Sequence, residues 1–419
     1  MKLTPVQLRE QAGQLRASGE HLAAIRIYLA LLKRNPEDYK TRVHLADALA
    51  SAEAAQAAVQ VYRAVAELCT TGGRPLVALI ACRAMEALGD PATAEVARLA
   101  QLYGAGSAAL AETGAGRLGV RHEDYQVDAR ELRVELSVEQ LVREAVEVGT
   151  NLSELRDMPG RYHPIPLLSE LDPARMVAVI RTMTVHRLPP GHAVFRQGAM
   201  GKSCFLLARG AVSVLARKPG EEEQTAVASL SDGAIFGEMS LITNSPRSAT
   251  VETTEETDLL ELGPEALSAI GDTLPQVAAA LDRLAQRRWM SNLMRQSPLF
   301  KAFDERERLE LLKHFTVHEV PQGTVLIPQG KRPTGIYLVL RGEVGMVRRT
   351  EDRPKTVVSR RGPGSTLGLE TILAGEVART SATTMTPAVV LFLAEQSVRR
   401  LLEAVPELAA AIREAAPVL

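Results

Sequence analysis

Cysteine is scarce in this chain, with three in 419 residues, scattered at Cys69, Cys82 and Cys204. That count excludes a disulfide scaffold and a four-cysteine iron–sulfur site, and it suits a reducing cytosol. Neither sign of charge is in excess: 49 Lys and Arg stand against 50 Asp and Glu, a formal net charge of −1. No nucleic-acid surface is expected from that balance, and Arg360-Arg361 is too short to be a basic tract. No apolar run approaches the roughly 18 residues of a membrane span. The start, Met1-Lys2-Leu3-Thr4-Pro5, lacks the apolar core of a signal peptide, so a cytoplasmic location is expected. No nucleophile–base pairing or metal-ligand spacing stands out, which argues against an enzyme and against a bound cofactor. The length suggests two to four domains.

What is present is more specific. The run from Phe236 to Val251 contains Gly237-Glu238-Met239-Ser240 and then Pro246-Arg247-Ser248-Ala249-Thr250. A glycine lets backbone approach a ligand closely. Exposed backbone N–H groups at a short helical turn cradle an anion. A guanidinium nine positions after the glutamate can clamp phosphate oxygens as a fork. Glu238 is an acceptor suited to a ribose hydroxyl. Upstream, Pro189-Pro190-Gly191, Gly198, Gly201 and Gly210 punctuate short apolar alternations, the pattern of small strands in a roll.

This stretch resembles the phosphate-binding cassette of the cyclic-nucleotide-binding domain family, which includes the kinase A regulatory subunit and bacterial catabolite activators. The resemblance implies a jelly-roll-like β-roll flanked by helices over residues 164–295. It implies ligand contacts from Gly237, Glu238, Met239, Ser240, Arg247, Ser248 and Ala249. It also implies a helix covering the base about forty positions past the cassette arginine, where Arg288, Trp289 and Asn292 fall. In relatives a threonine directly after that arginine often accompanies cGMP. Ser248 stands here, which favours cAMP and leaves cGMP and cyclic dinucleotides open.

The unit recurs over residues 296–419. Thr184-Val185-His186 becomes Thr316-Val317-His318, Gly191 becomes Gly323, Gly198 becomes Gly330 and Gly210 becomes Gly342, all at a shift of 132. At the same shift Glu238 falls on Glu370, Arg247 on Arg379 and Ser248 on Thr380, but Gly237 falls on Leu369. A branched side chain there obstructs a phosphate, although the neighbouring Gly368 offers the same freedom one residue earlier. The residue matching Arg288 would lie beyond Leu419, so no second lid is expected. The repeated histidines, lacking Cys or carboxylate neighbours at ligand spacing, read as structural.

Residues 1–103 differ in kind. Ala12, Leu15, Ala24, Ile25 and Tyr28 recur at a shift of 34 as Ala46, Leu49, Ala58, Val59 and Tyr62, while Gly19 becomes Glu53. That period resembles tetratricopeptide repeats, helix pairs that stack into a groove and imply a protein partner. Residues 104–163 hold Gly104-Ala105-Gly106-Ser107 and Gly114-Ala115-Gly116, the composition of a flexible linker, before a bridging helix opened by Ser137 with Gln140 three residues on. The expected fold is therefore α+β multidomain, with a helical array followed by two β-rolls. The expected function is that of a non-enzymatic cyclic-nucleotide receptor and adaptor. The alternative is an assembly protein whose rolls are ligand-free interaction modules. No nucleic acid or membrane partner is expected, and the oligomeric state is open.

Overall fold

The computed structural model describes residues 2–111, 113–119, 125–128, 130–133, 136–153, 158–217, 223–238, 246–270, 311, 314–350 and 353–404. By contacts the chain divides into two compact units, Met1–Leu281 and Asp282–Leu419.

The first unit opens with six helices: α1 (Pro5–Ala17), α2 (His21–Leu32), α3 (Tyr39–Ser51), α4 (Ala55–Thr71), α5 (Pro75–Ala87) and α6 (Thr93–Tyr103). Each packs on the one before it. Thr4 starts α1 through a capping box with Gln7, which satisfies two otherwise orphaned backbone donors. Ala12, Ala24, Tyr28, Ala46, Ala58 and Tyr62 are buried, so the recurring positions form the seam between helices. The turn between α1 and α2 has Gly19 at φ 84°. The matching turn between α3 and α4 keeps the left-handed conformation at Glu53, φ 62°, despite the loss of glycine. A side chain there costs on the order of 1 kcal/mol.

The segment after α6 is tied back by backbone bonds. The two-residue strands β1 (Lys2–Leu3) and β2 (Val127–Asp128) pair. Leu118 N–H donates to Gly72, Gly116 N–H to Arg161 and Ala111 N–H to Tyr162. Composition suggested free movement at the glycines, whereas the structure gives Gly116 a backbone partner. Helix α7 (Val138–Thr150) is opened by a Ser137–Gln140 capping box and packs on α2, α3 and α4. A side chain at Gly149 would meet Val61 at 2.7 Å. The buried Arg42 closes the far end of α7, donating to the carbonyls of Gly149 and, at 3.2 Å, Val148, where the helix dipole favours a cation. Cys69, Cys82 and Cys204 are all buried, and burial pushes each thiol up to about 12.

The first roll follows α8 (Pro173–Thr182). Its strands are β3 (Thr184–Leu188), β4 (Ala193–Phe195), β5 (Cys204–Arg209), β6 (Ala211–Arg217), β7 (Gln224–Ser231), β8 (Ile235–Phe236), β9 (Thr250–Thr253) and β10 (Thr257–Leu262). They form two four-stranded antiparallel sheets, ordered β3-β10-β5-β8 and β4-β9-β6-β7. Phe205, Leu207, Val212, Phe236, Val251 and Leu259 make the core between them. Helix α9 (Pro264–Ile270) packs on α8.

This roll docks on the helical array through charge. Arg209, almost fully buried, donates to Asp258 at 2.8 Å and reaches His44 on α3 at 2.9 Å. Arg187 pairs with Asp47, Arg16 reaches Glu256 at 2.8 Å, and Tyr39 hydroxyl donates to Asp232 at 3.1 Å. Burial, with Arg209 and Arg16 beside it, holds the His44 pKa well below its ordinary value, so the imidazole is neutral.

The second unit repeats the roll with β11 (Thr316–Val320), β12 (Val325–Ile327), β13 (Gly335–Arg341), β14 (Val344–Thr350), β15 (Arg353–Arg361), β16 (Thr366–Leu367), β17 (Ser381–Thr384) and β18 (Ala388–Ala394). The sheets are ordered β11-β18-β13-β16 and β12-β17-β14-β15. Ile327, Val339, Val344, Leu367, Ala378 and Ala382 fill the core. Helix α10 (Leu369–Ala374) follows β16, and α11 (Glu395–Ala404) follows β18.

Candidate functional site

In the first roll β8 ends at Phe236, and Gly237 turns the chain at φ 81°. That left-handed turn leads into Glu238, which is fully buried. Arg247, 5% exposed, lies over the same turn. Its Nη1 donates to the Gly237 carbonyl at 2.6 Å and its Nη2 to Ser203 Oγ at 3.4 Å. The guanidinium lies 4.2 Å from the Phe195 ring centroid, within cation–π range. Its backbone is pinned on both sides, Arg247 N–H to Ala199 and Gly198 N–H to the Arg247 carbonyl, each at 2.8 Å.

The two glycines beside it are required by space as well as by dihedral. A Cβ on Gly237 would sit 2.8 Å from Arg247 Nη1, and one on Gly201 would sit 2.3 Å from Arg247 Cζ. Burial lowers the Arg247 pKa from its ordinary value. A buried guanidinium beside a left-handed glycine turn is a place where an anion with several acceptor oxygens gains charge-assisted bonds. Ser248 is exposed and Ala249 half-buried. Met239, Ser240, Arg288, Trp289 and Asn292 lie outside the described residues.

The second roll corrects the sequence correspondence. The shift of 132 holds through β13 and into β14. The hairpin joining β14 to β15 is one residue shorter than that joining β6 to β7. Val212 pairs with Leu230, but its counterpart Val344 pairs with Arg361 rather than Gly362. Every later position is displaced by 131. Gly198 N–H donates to Arg247, whereas Gly330 N–H donates to Ala378. Gln197 N–H donates to Thr250 Oγ1, and Gln329 N–H to Ser381 Oγ. Gly368, at φ 86°, takes the turn of Gly237.

The true counterparts of Glu238 and Arg247 are therefore Leu369 and Ala378, both buried. Glu370, Arg379 and Thr380 do not form a second version of the site. Glu370 is exposed, Thr380 half-buried, and Arg379, with its side chain 75% exposed, pairs with Glu376 at 3.1 Å. The lining has changed with them: Ile327 stands for Phe195, Pro333 for Gly201 and Gly335 for Ser203.

The histidines of the repeat have ordinary partners, His186 bonding Glu261 at 2.7 Å and His318 bonding Thr316 Oγ1 at 2.8 Å. Among the described residues His44, Asp47 and Glu256 bring three ligand-type atoms within 4.8 Å of one another. Arg16, Arg187 and Arg209 already supply the cations there, so the cluster is an ionic interface. Sequence reasoning missed it, because Asp47 and Arg187 are 140 residues apart and carry no local signal.

Comparison with known proteins agrees with this anatomy. Residues 185–273 and 317–405 each match the cyclic nucleotide-binding domain family. A cyclic AMP receptor protein of Thermus thermophilus is 36% identical over 29% of this chain and 56% of its own. A cyclic nucleotide-gated potassium channel of Mesorhizobium japonicum is 33% identical over 30% of this chain and 33% of its own. A cAMP-dependent protein kinase regulatory subunit of Blastocladiella emersonii is 25% identical over 54% of this chain and 51% of its own. The chain thus spans between a third and just over half of the length of these relatives. No described helix is long and apolar enough to cross a membrane.

Proposed function

From two tandem cyclic nucleotide-binding domains with unlike pockets, we propose that this chain is a non-enzymatic receptor that takes one cyclic nucleotide, cAMP, in its first roll. The carrying observation is the contrast between buried Glu238 and Arg247 around the Gly237 turn and buried Leu369 and Ala378 at the same places in the second roll. Arg247 turns from the Gly237 carbonyl to the cyclic phosphate, Glu238 accepts from the ribose hydroxyl, and backbone donors near Ser240 and Ala249 complete the cradle. Arg288, Trp289 and Asn292 supply the cover over the base.

The six front helices act as a tetratricopeptide-like platform for a protein partner. Arg16, His44 and Asp47 of that platform meet Glu256, Arg209 and Arg187 of the first roll. Occupancy is transmitted through this interface, with a coupling of about 1–3 kcal/mol, roughly five- to 150-fold in partner affinity.

Calorimetric titration of the purified chain with cAMP, cGMP and cyclic di-GMP tests the reading. One tight site per chain is expected, with cAMP preferred. Two equal sites would overturn the assignment of the second roll, and no binding would overturn the receptor reading. A second reading, in which both rolls are ligand-free modules, draws on the bonds that Arg247 already makes to Gly237 and Ser203. Nucleotide carried through purification and seen by mass spectrometry decides against it.

A further inference from the structure

Arg247 is held at both of its ends, and the second roll keeps only one of the two grips. The first grip is on the backbone. Phe195 pairs with Val251 across β4 and β9, and Gln197 N–H donates to Thr250 Oγ1 at 3.0 Å. Arg247 N–H bonds Ala199, and its carbonyl accepts from Gly198. The second roll repeats all of this around Ala378. Ile327 pairs with Ala382, Gln329 N–H donates to Ser381 Oγ at 3.0 Å, and Ala378 bonds Lys331 and Gly330 in the same way. There the ladder braces a residue with no long side chain to aim, so the backbone grip belongs to the fold.

The second grip is on the guanidinium, and it is confined to the first roll. Arg247 Cζ stands 4.2 Å from the Phe195 ring centroid and 5.9 Å from that of Phe205. Its two Nη atoms donate to the Gly237 carbonyl and to Ser203 Oγ. Where Ala378 takes the place of the arginine, Ile327, Pro333 and Gly335 take the places of Phe195, Gly201 and Ser203. The arginine is lost together with the ring beneath it, its hydroxyl partner and the space beside it. Phe195 is itself anchored, its ring 5.8 Å from Phe205 and 5.9 Å from Phe236, centroid to centroid. Those two rings stack on each other with their planes 17° apart.

A cation seated on a ring face is attracted without hydrogen bonding to it, so its N–H groups stay available for acceptors. Arg247 then exchanges the Gly237 carbonyl for a phosphate oxygen while its charge stays on the ring. Phe195 is half-buried, and a ligand over the glycine turn excludes further water from it. A cation–π contact strengthens as water leaves, which turns the ring's hold into affinity. We infer that Phe195 is a positioning residue of the anion site, whose ring keeps the Arg247 guanidinium ready for the cyclic phosphate. The inference rests on the reading of the first roll as a nucleotide receptor.

Replacing Phe195 in the full chain by phenylalanines bearing one, two and three ring fluorines tests it. Fluorine drains negative charge from the ring face with little change of volume, so packing is kept while the cation–π attraction fades. Calorimetric titration should show cAMP affinity falling stepwise along the series, by about three- to tenfold at the third fluorine, with the unfolding midpoint held. The same trifluorinated residue in place of Phe205, farther from the guanidinium, should lower affinity less. Phe195→Leu should weaken binding at least as much as the third fluorine; the fluorinated series carries the test alone if that variant lowers the unfolding midpoint. With the unsubstituted chain binding cAMP, a flat series, or an equal fall at Phe195 and Phe205, would overturn this inference and leave the receptor reading standing. No binding by the unsubstituted chain would overturn the receptor reading and this inference with it.

Discussion

The two rolls share one strand order and one set of glycine turns, yet they place charge in opposite locations. The first keeps a carboxylate and a guanidinium inside, at Glu238 and Arg247, and further charge buried against the helices at Arg209 and Asp258. The second has Leu369, Ala378 and Val389 at the counterparts of Glu238, Arg247 and Asp258, while Arg348, Arg349, Arg360, Arg361 and Arg379 are exposed. A buried charge persists only where partners or a ligand compensate its desolvation. At the matching positions the second roll buries apolar side chains instead. The lesson is that strand topology survives a change of core chemistry, and that function has to be read from the pocket.

The most disruptive break of this contrast is Asp258→Ala. It removes the nearer of the two carboxylates that hold Arg209 in a nearly fully buried position, leaving Glu256 at 3.4 Å, and should cost about 3 kcal/mol in the first unit, leaving the second unit untouched. Denaturant unfolding of the full chain, followed by probes in each unit, checks this; equal loss in both would contradict it. Arg247→Ala comes next. Losing a charge-assisted contact costs about 1.5–3 kcal/mol, a ten- to hundred-fold weaker cAMP affinity by calorimetry, with the fold retained. Ala378→Arg in the second roll should bring no gain of binding, since Pro333 occupies the place that Gly201 leaves open.

Acid should separate the units less strongly. His44 is buried and neutral when folded, with Arg16, Arg209, Asp47 and Glu256 around it. Its folded pKa is depressed, so the unfolded chain takes up the proton first as pH falls. Stability of the first unit is therefore full above the ordinary histidine pKa near 6.5 and declines below it, by about 1.4 kcal/mol at one pH unit lower. Unfolding midpoints at neutral and mildly acidic pH give the sign directly. The gentlest change is Glu53→Gly, which relieves a left-handed side chain and should add roughly 0.5–1 kcal/mol to the array, raising its melting temperature slightly. A fall in melting temperature would contradict the strain assigned to that turn.

Much of this was legible in sequence wherever the signal was local. The Ser137–Gln140 pair specifies a helix start because both partners lie within one turn. Gly191, Gly198, Gly210 and their counterparts all take positive φ, where glycine is the residue of least strain. The register of the second cassette was not legible. Glu370 and Arg379 happen to fall at the shift that the upstream residues establish, and the ladder from Val344 to Arg361, with the bond from Gly330 to Ala378, reveals the shorter hairpin. The docking of Arg187 and Arg209 on α3 was invisible for another reason: an ion pair formed across distant segments leaves no periodicity in either. The resemblance to tetratricopeptide repeats belongs between these cases, since the 34-residue period places Tyr28 and Tyr62 in the helical seam without showing that the seam supports a groove.

The three buried thiols have a practical consequence. With pKa values near 12 they carry almost no thiolate at neutral pH, so an alkylating reagent reacts only after the surrounding structure opens. Cys69 and Cys82 sit in α4 and α5, Cys204 starts β5, and residues 282–419 contain no cysteine at all. The natural chain is thus a ready-made exposure meter for its first unit. Mass-resolved alkylation reads the opening of the helices and of the first roll separately, without background from the second roll and without any engineered label.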